Sequence, residues 1–478
     1  MGAKRAGSHS DAKGGAGRRL TVGAISLGCP KNLVDTEVML GLLARAGYGV
    51  VSDPDGADVV LVNTCCFIAP AREESGEALA EAAELRRKGR ARAVVCAGCW
   101  PELDAADLRE RFPEVDGVMG PGDVPDVVAV VEKALDGQGP SGPGSPPPYL
   151  HDESMPRLRA TPPWTAYLKI AEGCDHRCRF CIIPRLRGRY RSRALPSLLG
   201  EAESLAEAGV REMNVVAQDT TAYGRDVGGP DLAELLGRLA EVEGLRWIRL
   251  LYTFPSRVSE RLIEVMASRP AVCKYIDVPF QHADREVLRA MGRPGDGEAY
   301  LRLVERLRSA MPEIAIRSTF LVGFPGETDG AFARLMGFLE AAQLDRAGAF
   351  AYSREPGSAA AEMAGQVPAE VAQARYHELM VRQQGISLAR NERWVGREME
   401  VLVESPGEKR GEWVGRSFRD APEIDGTVIV QTGRRRVGPG EFVVATVRAA
   451  EPYDLVARLG PRGRSRREGE GPEAVGGG

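Results

Sequence analysis

The sequence predicts a mixed α/β fold in three parts: an N-terminal open α/β domain, a central (β/α)6 partial barrel and a small C-terminal antiparallel β-barrel. Three observations carry this reading. Short apolar, β-rich runs alternate with helical patterns over about 20–135, and again from 167 to about 350. Between these stretches the run GQGPSGPGSPPP, 137–148, has too little apolar surface to build a core and reads as a linker. After residue 389 the pattern changes to short alternating strands parted by turns rich in Gly and Asp. A chain of 478 residues has room for about three domains. The expected divisions are a disordered tail over 1–19, an N-terminal domain over 20–136, a linker over 137–160, a core over 161–390, a barrel over 391–459 and a second disordered tail over 460–478.

In the first part, Cys29 ends TVGAISLGC, Cys65 ends DVVLVNTC and Cys99 ends RAVVCAGC. Each follows a strand-like run and precedes a helical one, so each belongs at the carboxyl end of a parallel strand. That edge is where open α/β sheets bind ligands, and residues far apart in sequence meet there. The residues alone describe a three-thiolate site and three unrelated buried cysteines equally well, since free cysteine is among the most buried residue types. Disulfides are not expected, because the first nineteen residues are polar and basic with no apolar segment for export.

The second part opens with the strand TAYLKIA, followed by EMNVVA, RWIRLLY, YIDVPF, IAIRSTFLVGF and RAGAFAYS, six strands with helices between them. In such barrels active sites lie at the carboxyl ends of the strands. There, after the first strand, sits GCDHRCRFC with Cys174, Cys178 and Cys181. Three thiolates so close in sequence can hold three corners of a 4Fe–4S cluster. No fourth cysteine follows nearby, so one iron is left for a small molecule. The alternative is a zinc site completed by His176 or a distant cysteine.

With Phe180 before its last cysteine, this triplet resembles the signature of radical S-adenosylmethionine (SAM) enzymes. The resemblance implies that SAM chelates the open iron and that an electron from the cluster cleaves it to a 5′-deoxyadenosyl radical. SLGCPKNLVDTE, NTCCFI and AGCW, followed by this triplet, resemble the amino-terminal domain of the methylthiotransferase family. The family implies that Cys29, Cys65 and Cys99 hold a second 4Fe–4S cluster, also with one open iron. Cys66, Cys96 and Cys273 fall outside its pattern and read as bystanders. The family also implies SAM contacts from Phe180 and Gln218, and no catalytic residue beyond the cluster ligands. Asp219, Gln281, His282, Tyr352 and Ser353 lie in loops that the family uses for SAM and substrate. GFPGET, 323–328, reads nearly equally as a loop that brings backbone amides to the methionine part of SAM and as an ordinary Gly/Pro turn, and His282 is expected to be structural. RLRGRYRSR, 185–193, reads equally as a guide for an anionic group and as a solvated charged face.

The last part resembles the TRAM domain, which grips nucleic acid in tRNA-acting members. Here the balance over 397–458 is ten basic residues against eleven acidic ones, where nucleic-acid recognition wants a basic excess. Arg434, Arg435 and Arg436 are a local exception, and DAPEID, 420–425, is expected to offer carboxylates to a basic partner. SLGCPKN and DAPEIDG together resemble the branch that modifies ribosomal protein S-twelve. That branch implies methylthiolation of an aspartate β-carbon, S-twelve as substrate, a reductant protein as electron source, and contact with nucleic acid only through the ribosome. A tRNA methylthiotransferase and a non-catalytic, zinc-stabilised binding module are the alternatives. The net charge of −4 shows no global basic field, no apolar run reaches membrane-spanning length, and nine cysteines without an export segment suit a reducing cytoplasm.

Overall fold

The computed structural model describes residues 18–139 and 149–460; the tail before them, the Pro/Gly run over 140–148 and the tail from 461 lie outside the described residues. Strand β1 (Thr21–Ser26), α1 (Pro30–Arg45), β2 (Gly49–Val51), β3 (Val59–Thr64), α2 (Ala69–Arg87), β4 (Ala93–Gly98), α3 (Cys99–Arg111), β5 (Gly117–Met119) and α4 (Val127–Leu135) make the first domain. Its parallel sheet runs β2-β1-β3-β4-β5. β3 and β4 are buried at every position, which is why they read as unbroken apolar runs. The edge strands β2 and β5 have three residues each, too few to leave a pattern in the sequence.

The central domain begins with β6 (Thr165–Lys169), then β7 (Ala171–Glu172), α5 (Ile183–Arg187) and β8 (Arg191–Ser192). It continues through α6 (Leu195–Glu207), β9 (Glu212–Val216), α7 (Leu232–Leu239), β10 (Trp247–Leu250), α8 (Glu260–Ser268) and β11 (Val272–Asp277). The last units are α9 (Arg285–Ala290), α10 (Gly297–Ala310), β12 (Ala315–Val322), α11 (Asp329–Ala342), β13 (Arg346–Ala351) and α12 (Ala369–Glu392). The six long strands lie parallel in chain order, β6-β9-β10-β11-β12-β13, and the sheet stays open. Helix starts are set by side chains that accept orphan amides: Asp231, Ser259, Asp284, Asp296 and Thr328 cap α7 to α11.

The C-terminal domain is a closed five-stranded barrel of β14 (Glu398–Pro406), β15 (Glu412–Ser417), β16 (Val428–Gln431), β17 (Phe442–Ala450) and β18 (Leu455–Leu459). It is not wholly antiparallel. β16 and β18 pair in parallel, and the other four pairings are antiparallel. An odd number of strands cannot alternate direction all the way round a closed ring, so one parallel pair is unavoidable. The long run after Phe442, which reads as one strand, breaks at Pro452 into β17 and β18.

The open side of the partial barrel is closed by both neighbours. Val34 of α1, with Leu402 and Ala421 of the last domain, packs against Tyr167, Val216, Trp247, Leu251 and Tyr275 of the central strands. Buried ions seal the C-terminal side. Glu212 on β9 accepts from Arg249 at 3.1 Å and from Arg416 at 2.6 Å. Asp420 accepts from Arg346 at 2.8 Å, and Asp425 from the Tyr275 hydroxyl at 2.6 Å. The carboxylates of Asp420 and Asp425 are therefore spent inside the chain and are not offered to a basic partner; only Glu423 of that string's acids is exposed. Residues 149–160 are packed as well: Arg157 bridges Glu37 of α1 and Glu201 of α6, and His151 lies buried against Glu201.

Burial raises the Glu212 carboxyl, but Arg416 and Arg249 outweigh it and hold the group at about 2. Its stabilisation is present above the ordinary carboxylate range and is lost as pH falls from there through about 2. Glu212→Ala leaves two buried guanidinium groups without this partner and should cost about 3–5 kcal/mol. Urea unfolding followed by tryptophan fluorescence, with Trp247 packed edge-on to Phe442 across this seam, should show the loss at pH 7 and a smaller one near pH 2.

Candidate active site

The three N-terminal cysteines all lie just past strand ends. Cys29 caps α1 after β1, Cys65 follows β3, and Cys99 is the first residue of α3 after β4. Each of the three thiols falls within the charge field of the others. The turns that bring them together depend on glycine. Gly28 has φ +85°, and a Cβ there would stand 2.5 Å from the Cys65 Cβ and 2.8 Å from its Sγ. Gly98 has φ +96°, and a Cβ there would overlap Asn63 and stand 2.6 Å from the Thr64 carbonyl oxygen.

The second triplet occupies the loop after β6 and β7. The Cys181 amide donates to the Cys178 carbonyl at 3.0 Å, and the Cys174 amide to the Gly188 carbonyl at 3.1 Å. Arg179 N donates to Met291 O at 2.9 Å, and Arg293 reaches the Cys178 sulfur at 3.8 Å. His176 stacks on Phe254 with ring centroids 3.8 Å apart and holds Asp219 at 2.7 Å, so it belongs to the loop's scaffold. Arg257 donates to the same Asp219 oxygen at 2.6 Å.

Helix α5, directly after Cys181, packs on α3, directly after Cys99. Its Ile182 and Leu186 join the apolar cluster that contains Cys66, Cys96, Cys99 and Trp100. The two triplets are thereby brought into one region. A buried polar network ties the same junction. Arg187 donates to Glu172 at 3.0 Å and to Asp35 at 3.2 Å, bonds Asn32, and lies 3.9 Å from the Cys99 sulfur. Lys169 bonds Asp35 and donates to Glu172 at 2.9 Å. Asn32 in turn donates to the Thr64 carbonyl, next to Cys65, at 3.0 Å. Burial would raise the Glu172 carboxyl, yet Arg187 and Lys169 hold it well below the usual carboxylate range.

The donor set suits iron–sulfur clusters. Burial pushes the thiols of Cys99 and Cys181 up to about 12 and that of Cys174 to about 11. Iron that displaces those protons supplies the positive charge that a buried thiolate lacks. Cys29 sits below its ordinary value: burial raises it, and Lys31 and Arg187 outweigh the burial.

Other candidates fall in varied places. Phe180 lies edge-on to Phe324, 6.5 Å between centroids. Gln218 donates to Glu172 at 2.8 Å, and its own oxygen is buried without a hydrogen-bond partner. Four amides of GFPGET already have partners: Gly323 and Phe324 donate to Glu327, Gly326 to the Gly365 carbonyl, and Glu327 to the Phe324 carbonyl. His282 is fully buried, accepts from the Asp284 amide at 2.9 Å, and is pushed down to about 4 by burial. Ser353 bonds Glu355, which accepts from the Ala69 amide at the start of α2 at 2.8 Å. In RLRGRYRSR, Arg187 and Arg193 are buried in ion pairs and Arg189 pairs with Asp175 on the surface, so the string mixes structural and solvated arginines. Cys66, Cys96 and Cys273 are buried, and burial raises all three thiols.

Asp35, Lys169 and Glu172 are absent from the sequence-derived site, and Arg187 entered it only as one arginine of the string 185–193. One signal was available: a lysine at the end of the fully buried strand TAYLK needs a carboxylate partner.

Family comparisons agree with this arrangement. Residues 168–339 match the Radical SAM superfamily, 21–120 match Uncharacterized protein family UPF0004, and 395–459 match the TRAM domain. The chain is 49% identical over 438 residues to the ribosomal protein uS12 methylthiotransferase RimO of Pelotomaculum thermopropionicum, covering 91% of this chain and 98% of that protein. The chain belongs to the uS12 methylthiotransferase family. The RimO of Geobacter sulfurreducens is 44% identical, covering 92% of this chain and 98% of its own. Among solved structures, the radical SAM methyltransferase TsrM of Kitasatospora setae superposes with a TM-score of 0.52 at 19% identity, covering 85% of this chain and 80% of that one, a likeness of fold. As a member of this family the chain is a radical SAM enzyme whose cofactors are 4Fe–4S clusters and SAM. Among the described residues no helix is long and apolar enough to cross a membrane.

Two expected outcomes test the geometry. Arg187→Gln removes a partner of buried Asp35 and Glu172 and should cost about 3–5 kcal/mol in thermal or urea unfolding. Arg187→Lys should not restore it, since one ammonium cannot span Asn32 and both carboxylates. Gly98→Ala should displace Cys99 and lower iron and acid-labile sulfide per chain by about half, by metal analysis after anaerobic reconstitution.

Proposed function

We propose that this chain adds a methylthio group to the β-carbon of an aspartate in ribosomal protein uS12, with Cys174, Cys178 and Cys181 holding the SAM-binding cluster and Cys29, Cys65 and Cys99 holding the sulfur-bearing one. The observation that supports the proposal is the packing of α5, which follows Cys181, on α3, which starts at Cys99. Bound there, the two clusters and SAM supply one-electron cleavage of SAM and a methylated sulfur. A β-carbon C–H is too weakly acidic for a side-chain base, and the buried, neutral His282 is no exception.

The chain's own residues bind and orient. Phe180 and Gln218 contact SAM; the unpartnered Gln218 oxygen is the acceptor that such a ligand would satisfy. Arg187 and Lys169 keep the two domains in register, and the apolar shell around Cys99 keeps water away. We place the working units at 20–136, 161–390 and 391–459, joined through 137–160. The partners we infer are uS12, free or in the small subunit, and a reductant protein in the cytoplasm, with nucleic acid met only through the ribosome. The C-terminal barrel's lack of basic excess supports a protein substrate over tRNA.

Cys178→Ala should abolish SAM cleavage. Cys65→Ala should leave SAM cleavage partly intact and stop methylthiolation, so normal methylthiolation by that variant would defeat the division of labour. The deciding assay offers uS12 and unmodified tRNA in parallel to reconstituted enzyme with SAM, sulfide and reductant. A methylthio mass increment on the uS12 aspartate alone is expected; an increment on tRNA alone would overturn the substrate.

A further inference from the structure

The terminal barrel is nearly neutral in total, yet its charges are sorted by end. The turn between β14 and β15 carries Lys409 and Arg410, and the loop after β16 carries Arg434, Arg435 and Arg436. The two segments are neighbours: the Thr432 amide donates to the Gly411 carbonyl at 2.8 Å, next to the pairing of Glu412 with Gln431. Arg458 joins them, because β18 runs parallel to β16 with Arg458 opposite Gln431. All six side chains are exposed. This end therefore holds six of the ten basic residues over 397–458 but only three of the eleven acidic ones, Glu408, Glu412 and Glu441. Among the described residues only Arg435 of the six has a carboxylate within ion-pair distance, Glu441 at 3.6 Å. Acids elsewhere on the barrel are taken up at the seam with the central domain: Glu400 by Arg246, Glu404 by Arg416 and Asp420 by Arg346. The arginine string that stands out as a local exception in the sequence is thus one third of a patch built from three segments.

Like charges gathered in solvent repel one another, and a polyanion relieves that repulsion while releasing its own counterions. Guanidinium groups match phosphate oxygens two at a time. The charges here are exposed and spread over three segments, which suits a chain of phosphates better than one enclosed anion. An anionic membrane would call for apolar side chains beside the charges. The exposed Ile424 and Tyr453 lie at the opposite end of the barrel, before β16 and β18 begin. A strand of RNA fits the patch better.

We propose that this end of the terminal barrel grips the phosphate backbone of ribosomal RNA beside uS12, so that the preferred substrate is the assembled small subunit and not the free protein. This rests on the uS12 reading above. The near-neutral total is consistent with it, because one basic end takes a short stretch of phosphates and leaves the rest of the barrel to its docking. Glu412 opens β15 and Arg416, which holds Glu212, lies about 13 Å further along the strand. The patch can therefore be occupied while the seam stays intact.

The experiment is a binding titration of reconstituted enzyme with SAM and no reductant, run at several salt concentrations. Small subunits lacking the modification, free uS12 and unmodified tRNA are compared, and complete reactions on both forms of uS12 are read in parallel by mass spectrometry. At about 0.1 M salt the native enzyme should bind subunits at least about 10-fold more tightly than free uS12, an advantage that falls steeply as salt rises. Arg410→Gln, Arg434→Gln and Arg436→Gln combined should make the slope of log affinity against log salt shallower by about 2 and weaken subunit binding about 10- to 100-fold. Iron content, thermal unfolding and binding to free uS12 should stay native. If the triple variant unfolds early, Lys409→Gln with Arg410→Gln must make the slope shallower by about 1. An unchanged slope overturns the proposal. An equal loss on free uS12 overturns it too, since the patch would then touch the protein. If tRNA binds as tightly as subunits and shows the same loss, ribosomal RNA is overturned as the source of the phosphates. If the native enzyme modifies neither form of uS12, the substrate reading fails and takes this inference with it; if modification occurs and the slope does not move, only this inference fails.

Discussion

The charged junction of Asp35, Lys169, Glu172 and Arg187, with Asn32 at its edge, is the constraint on which the rest of the site depends. Asp35 and Asn32 come from the helix that Cys29 starts; Lys169 and Glu172 come from the first barrel strand and its extension; Arg187 ends the helix that follows Cys181. In a buried setting such a group is favourable only when every member is paired, so the junction tolerates one relative placement of the two domains and penalises the rest. Both cysteine triplets are anchored within a few residues of it. Their mutual position is thus a consequence of ion pairing as much as of apolar packing.

The open barrel explains why a second and a third domain are needed at all. A six-stranded parallel sheet that does not close leaves an apolar inner face and a polar interior exposed. Here the N-terminal helix covers one part, while the C-terminal barrel covers another through Leu402, Ala421 and the buried pairs of Glu212, Asp420 and Asp425. The terminal barrel is consequently a structural cover for the open sheet, and Asp420 and Asp425 serve that docking.

Much of this was legible from the residues. Unbroken apolar runs gave the buried strands, alternation gave the three-part architecture, and the spacing of Cys174, Cys178 and Cys181 pointed to an open cluster site. What was hidden had physical reasons. Three-residue edge strands leave no periodicity. The direction of β18 follows from closing an odd ring, a property no local pattern carries. GFPGET reads as readily as a ligand-facing turn as an ordinary one because glycine and proline punctuate many kinds of loop, and only the fold reveals that Glu327 already takes the amides of Gly323 and Phe324. The acidic string of the last domain looks like a surface for a partner until Arg346 and Tyr275 are seen against it.

The sequence by itself determined the chemistry available: which thiols exist, at which strand ends, and with what spacing. Spacing within a few residues is a local property, so one triplet could be recognised as a unit. The other triplet, and the nearness of the two, depend on contacts between residues far apart in the chain, such as Asp35 with Lys169, 134 positions apart, and Cys99 with Arg187, 88 positions apart. Only the tertiary structure decided those, because pairing of buried charges is set by three-dimensional neighbours and leaves no periodic trace along the chain.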